Sequence, residues 1–190
     1  MRKLHIMLDL ETLGKKLMAP ILQVGAACAI ESEDGTWALT PFHFERTISL
    51  DHAMQQRTPD ASTLLWWMDQ NEEARSKVLV EQGKSVEFVL TSFSNFVAQS
   101  KEAIDASEVY VWGNGASSDN AWLIGLYEQH GVPVPWEYWG NMCYRTIKNF
   151  NRHVPRPEIP AHLKHTALAD ARSQLVHLIA IMESRKCQSQ

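Results

Sequence analysis

Asp9 and Glu11 stand two residues apart at the end of an apolar, strand-forming run, Leu4 to Gly14 (LHIMLDLETLG). Strand side chains alternate between faces, so both carboxylates point the same way with their Cα atoms roughly 6.5 to 7 Å apart. Two oxygen ligands on one rigid strand end suit a pair of hard divalent cations held about 3.5 to 4 Å apart, the separation used in two-metal phosphoryl chemistry. A core strand leaving into solvent through polar residues and a Gly14 turn is the plainer reading of the same stretch. Two further acids fall at element ends. Asp119 lies in a first helical turn, where the helix dipole alone favours an acid by roughly 0.3 to 1 kcal/mol. Asp170 is flanked by Ala167, Leu168 and Ala171, and a carboxylate beside that packing stripe needs a partner or a cation.

His165 precedes Asp170 by five residues. On one helix such a pair would diverge by about 140°. With Thr166 as N-cap, His165 instead lies in the preceding loop, free to fold over the acids. There an imidazole can take a proton from an attacking water at neutral pH. A surface histidine near a helix cap is the alternative. His162 and His165 with a carboxylate would also make a zinc site, but oxygen-rich surroundings favour Mg²⁺ or Mn²⁺.

The elements that must position these groups are legible in outline. Ile21 to Glu31 (ILQVGAACAIE) reads as a second strand of small residues that allow close packing, Asp34-Gly35 as a hairpin turn, and Trp37 to Ile48 as a third antiparallel strand. Asp60 or Ser62 caps a helix with Leu64, Leu65, Trp67 and Met68 as its buried stripe, and a short helix follows from Asn71. Ser85 caps a clearer one, in which Val86, Val89, Leu90, Phe93, Phe96 and Val97 recur at helical spacing. Val109 to Gly113 is a short strand, and the polar loop from Asn114 to Ser118 leads into a helix ending at Gly131. Trp136 to Trp139 reads as an edge strand and Cys143 to Phe150 as a helix. Asn151 to Lys164, with Pro155, Pro157 and Pro160, excludes regular structure and reads as a mobile loop. The last helix runs from Thr166 to Met182. The order predicts an α/β fold, a central mixed five-stranded sheet flanked by helices. Residues 1–183 read as a single domain and 184–190 as a frayed tail.

The 190 residues, 45% hydrophobic, suffice for one self-contained core. A formal charge of −4 excludes coating of nucleic acid by bulk positive charge. Any phosphate must be held locally. Arg145, Lys148, Arg152, Arg156, Lys164 and Arg172 give one such region, set against Glu158 and Asp170. Cys28, Cys143 and Cys187 are scattered and odd in number, which fits a reducing cytoplasm better than a disulfide framework. No signal peptide or membrane span is expected. Trp66, Trp67, Trp112, Trp122, Trp136 and Trp139 fall largely in core-like segments. Trp66 and Trp67, about 100° apart on a helix, leave one of the two for a groove, where stacking is worth about 1 to 3 kcal/mol per base.

Together, Leu8-Asp9-Leu10-Glu11-Thr12-Leu13-Gly14, Gly113-Asn114-Gly115-Ala116-Ser117-Ser118-Asp119-Asn120 and His165-Thr166-Ala167-Leu168-Ala169-Asp170-Ala171 resemble the DEDDh (DnaQ-like) 3′-5′ exonucleases, a superfamily with a ribonuclease H-like fold. Trp66-Trp67, Trp112 to Gly115 and Arg145-Thr146 resemble its phage and prophage exodeoxyribonuclease VIII-like branch, which includes mycobacterial exoribonuclease-like members. The resemblance implies that Asp9, Glu11, Asp119 and Asp170 hold two Mg²⁺ or Mn²⁺ ions while His165 deprotonates the attacking water, releasing 5′-mononucleotides. It also implies that main chain near Thr12, Leu13 and Gly14 meets the terminal 3′-OH and that the Leu13 side chain presses on the last base, with Trp67, Asn114 and Arg145 as further substrate contacts. The expected substrates are 3′ ends of single-stranded DNA, with RNA as the alternative, and such relatives are often homodimers. Cys143-Tyr144 departs from the branch, where an acid is expected before the Arg-Thr pair. The rival readings are a nucleic-acid-binding module without activity and a metal phosphoesterase of small molecules.

Overall fold

The computed structural model describes residues 1–80, 82–160 and 165–188. The chain opens with an antiparallel ribbon, β1 (Arg2–Thr12), β2 (Ile21–Glu31) and β3 (Trp37–Thr47). The β2–β3 turn falls at Asp34-Gly35, where the Thr36 N–H donates to Asp34 Oδ1 at 2.9 Å and Gly35 takes φ +75°. Four elements follow on the periphery: α1 (Leu50–Ala53), α2 (Ala61–Met68), α3 (Glu72–Arg75) and a π turn over Ser76–Val80. Then come α4 (Val86–Ala103), β4 (Ala106–Gly113), a π turn over Ala116–Asn120, α5 (Ala121–Gln129), a 3₁₀ turn over Tyr138–Gly140, β5 (Asn141–Cys143), α6 (Tyr144–Phe150) and α7 (Ala167–Gln188). The sheet order is β3-β2-β1-β4-β5, with β1 antiparallel to β2 and parallel to β4. This is an α/β fold of ribonuclease H-like type, a mixed five-stranded sheet with helices on both faces.

The alternation of β1 decides what each face can do. Leu4, Ile6, Leu8 and Leu10 enter one core with Val89, Leu90, Phe93 and Val97 of α4 and Leu123, Leu126 and Tyr127 of α5. Met7 enters the other, with Trp112, Tyr144 and, from α7, Ala171, Leu175 and Leu178. Asp9 and Glu11 continue the Met7 series, so they emerge on the α7 side. Gly25 of β2 pairs with Asp9 of β1. A Cβ at Gly25 would lie 2.2 Å from the Ala167 carbonyl carbon and 2.3 Å from the Leu168 nitrogen. Glycine is therefore what lets the start of α7 rest directly on the sheet beside the carboxylates. Gln23 Oε1 of β2 accepts from the Ala167 N–H at 2.9 Å, satisfying one of that helix's open donors.

Several boundaries differ from those read in the sequence. The edge strand is Asn141–Cys143, not Trp136 to Trp139. Trp136 packs edge-on to Phe93 and Tyr127 and donates its indole N–H to Asn141 Oδ1 at 3.1 Å, so the chain turns before it can pair. The stripe on α2 is also different: Thr63 and Trp67 are buried, while Leu65 and Met68 are 65% and 67% exposed. This eight-residue helix meets the body along one edge only. The third strand ends at Thr47, and Ile48 forms an isolated bridge with Lys84 instead. α7 continues to Gln188, six residues past Met182, through the stretch read as a frayed tail. Asn151 to Pro160 is irregular, and the rest of that predicted loop, with His162 and Lys164, lies outside the described residues. Among the described residues, no helix is long and apolar enough to cross a membrane.

Candidate active site

β1 ends in a register irregularity between Glu11 and Thr12. Its exit is fixed by three hydrogen bonds. The Trp67 indole N–H donates to the Thr12 carbonyl at 3.0 Å, the Leu13 N–H donates to the Pro20 carbonyl at 2.9 Å, and the Asp60 N–H donates to the Leu13 carbonyl at 2.7 Å. The Thr12 hydroxyl donates to the Gly14 carbonyl at 2.8 Å. Leu13 and Trp67 are 2% and 1% exposed, so the side chains expected to meet substrate are core residues. Trp66 is the exposed one of the pair, at 42%. It borders a cavity of about 340 Å³ together with Leu10, Glu11, Thr12, Gly14, Lys15, Ser62 and Thr63.

On the α7 face, one carboxylate oxygen each from Asp9, Glu11 and Asp170 lie within 4.8 Å of one another. Asp119 approaches from the Ala116–Asn120 π turn and is close enough to raise the pKa of both β1 acids. Gly113 makes that approach possible, since a Cβ there would stand 3.0 Å from Asp119 Cβ and 2.2 Å from Asn120 Oδ1. Asn120 anchors the turn by donating its amide to the Val111 carbonyl at 2.8 Å.

The electrostatics follow from burial and like charge. Burial, then Glu11, Asp119 and Asp170, hold the Asp9 carboxyl well above the usual carboxylate range. Burial, then Asp170 and Asp119, push Glu11 up to about 8. Burial pushes Asp119 up to about 6 against its own N–H, those of Asn114 and Leu10, and the nearby Arg145. Among the described residues, the acid cluster makes one ion pair, Arg156 Nη2 with Asp170 Oδ1 at 3.3 Å. Four acids with so little compensation favour the uptake of cations.

Gln174 is a member of the site that the sequence reading missed. It stands four residues beyond Asp170 on the same face of α7 and donates its amide to Asp9 Oδ1 at 2.7 Å. Its Oε1 is buried without a hydrogen-bond partner. The i, i+4 spacing from Asp170 was the available signal.

His165 sits just before α7 with φ +62°, and its backbone N–H donates to Asp170 Oδ2 at 3.1 Å. Its ring meets the Trp66 ring edge-on, centroids 4.9 Å apart. A second cavity, about 320 Å³, is lined by His165, Asp170, Arg156, Pro157 and Ile159. The loop carrying Arg156 is stapled to α7: Arg156 Nε donates to Ser173 Oγ at 3.1 Å, Ser173 Oγ donates to the Pro157 carbonyl at 3.2 Å, and His177 Nε2 bonds the Val154 carbonyl at 2.8 Å. On the β4 side, Asn114 Oδ1 accepts from Lys148 Nζ at 3.0 Å, and Arg145 projects from α6 toward Gly115.

The fold is similar to that of the crystal structure of cell-death related nuclease 4 (CRN-4), with a TM-score of 0.53 at 8% identity, covering 95% of this chain and 64% of that one. This chain thus spans just under two thirds of that protein. No curated protein matches the sequence. One sequence family, described as the 3′-5′ exoribonuclease Rv2179c-like domain, matches residues 4–182.

Proposed function

Since this chain belongs to the 3′-5′ exoribonuclease Rv2179c-like domain family across residues 4–182, we propose that it is a metal-dependent 3′-5′ exonuclease releasing 5′-mononucleotides from single strands. The observation that carries this reading is the convergence of Asp9, Glu11 and Asp170 oxygens within 4.8 Å beside a buried Asp119. All the donors are hard carboxylate oxygens. That set fits Mg²⁺ or Mn²⁺ and not zinc. When bound, two such ions would stabilise the attacking and leaving oxygens of an in-line displacement at phosphorus.

The chain's own residues do the rest. Asp9, Glu11, Asp119 and Asp170 hold the ions, and Gln174 keeps the Asp9 carboxylate turned toward them. His165, fixed by its N–H bond to Asp170 and its edge contact with Trp66, accepts the proton of the water that attacks the terminal phosphodiester. The bond from phosphorus to the 3′-oxygen of the preceding nucleotide then breaks, and that oxygen takes a proton from solvent. The Trp66 cavity receives the terminal nucleoside, with the ring stacked on its base for about 1 to 3 kcal/mol. This assigns to Trp66 the contact expected of Trp67 and Leu13.

The family description favours RNA as substrate, while the likeness of Trp66-Trp67, Trp112 to Gly115 and Arg145-Thr146 to phage and prophage enzymes favours DNA. Parallel digestion of matched, 5′-labelled RNA and DNA oligonucleotides with Mg²⁺ or Mn²⁺ tests both. Stepwise shortening from the 3′ end is the expected result. Binding without shortening would favour a module without activity, and hydrolysis confined to small phosphate esters would favour a small-molecule phosphoesterase.

A further inference from the structure

We infer that Arg145, Lys148 and Arg156 form a subsite for the phosphate on the 5′ side of the scissile one, an assignment that rests on the exonuclease reading above. Arg145 and Lys148 are three residues apart on α6 and so share a face. The Arg145 guanidinium lies against Gly115, where φ is +128° and a Cβ would come within 3.2 Å of Arg145 Cζ. Lys148 is held by its bond to Asn114 and by the Tyr144 ring, whose centroid is 5.2 Å from Nζ. Arg156 arrives from the loop before α7, oriented by Ser173 and Asp170.

These three cations are close enough to feel one another. The Lys148 pKa is lowered, first by burial and then by Arg156 and Arg145. Helix α6 (YRTIKNF) carries no acid. Among the described residues, the three cations make one ion pair, Arg156 with Asp170. Like charges gathered in this way repel, and an anion seated among them relieves the repulsion.

The position of the cluster selects the anion. Arg145 borders Asp119 and Arg156 borders Asp170, so the cations lie directly beside the acids. The Trp66 cavity flanks them on the α2 side. With the terminal nucleoside in that cavity and the scissile phosphate over the acids, the next phosphate toward the 5′ end reaches the cations. A mononucleotide has one phosphate and cannot occupy both places. Cleavage therefore releases the product from this grip while the shortened strand keeps it, which favours repeated cuts on one strand.

The test is equilibrium binding of a 5′-fluorescein single-stranded octanucleotide in chelating buffer over a KCl series. Lys148→Ala with Arg145→Ala should reduce the slope of log affinity against log salt by about 0.7, the contribution of one phosphate, and Lys148→Ala alone by part of that. Strands with one neutral methylphosphonate, moved position by position, should bind wild-type protein worst when it replaces the phosphate next to the terminal one. That penalty should vanish in the double variant. A flat methylphosphonate scan, or an equal penalty in both proteins, would overturn the subsite. Nucleotide release by wild-type protein in Mn²⁺ reports separately on the reading beneath it. Coupled binding without release would sink the exonuclease and leave the subsite standing, and release without coupling would do the reverse.

Discussion

Asp119 and His165 carry the sharpest residue-scale predictions, because each also has an ordinary explanation. If Asp119 served only the helix start, Asp119→Asn would cost at most about 1 kcal/mol and leave turnover intact. Its burial beside three other acids instead predicts that turnover collapses while thermal scans in chelator show a higher Tm, since a repelling charge is gone. His165→Ala should slow nucleotide release by roughly 10² to 10⁴. Calorimetric Mn²⁺ titration of that variant should match wild type, and loss of Mn²⁺ binding would make the histidine a ligand instead of a proton acceptor. The acids and the histidine could be picked out because strand alternation and a helix cap constrain where such residues point. The choice between Trp66 and Trp67 could not. The segment Ala61–Met68 is apolar almost all round, and its rotation is set by the bond from the Trp67 indole to the Thr12 carbonyl, a contact 55 residues apart in sequence.

Among the elements, the close rest of α7 on β2 sets the distance from Asp170 to Asp9 and Glu11. Gly25→Ala should test this, because its Cβ would fall 2.2 Å from a backbone atom of Ala167. Backbone cannot give way as a flexible side chain can, so a loss of about 1 to 3 kcal/mol is expected in urea unfolding. Mn²⁺ affinity should drop with it, through displacement of Asp170, and unchanged affinity and stability would refute the spacer role. The sequence shows ILQVGAACAIE as a strand of small residues, but which of them faces α7 depends on the register with β1. The long helices and first three strands were readable because their hydrophobic periods run for many residues. The three-residue β5 was not, because Trp136 side-chain packing and Gly140 against the Val109 carbonyl decide where pairing begins.

For the molecule as a whole, concentrating buried carboxylates makes stability depend on pH in an inverted sense. Glu11 is held near 8 against an ordinary 4.5, so between those values the folded state keeps a proton that the unfolded state has lost. That stabilisation is complete below about 4.5 and is lost as pH rises through 8. Metal-free protein should therefore gain stability from pH 8 down to 6.5, by roughly 1.4 kcal/mol per pH unit for each extra proton held. Below 6.5 the buried His5, lowered to about 4, works in the opposite direction, because the unfolded chain takes up a proton that the folded one refuses. Calorimetric scans in chelator over pH 8 to 6.5 check this, and a Tm that falls or stays level would contradict it. Release of mononucleotides from the 3′ end of a labelled single strand, with Mn²⁺ and then after exhaustive chelation, is the most direct measure of a metal-dependent exonuclease. Stepwise shortening with the metal and none without is the expected result. Full release after chelation, or no release with the metal, would contradict it.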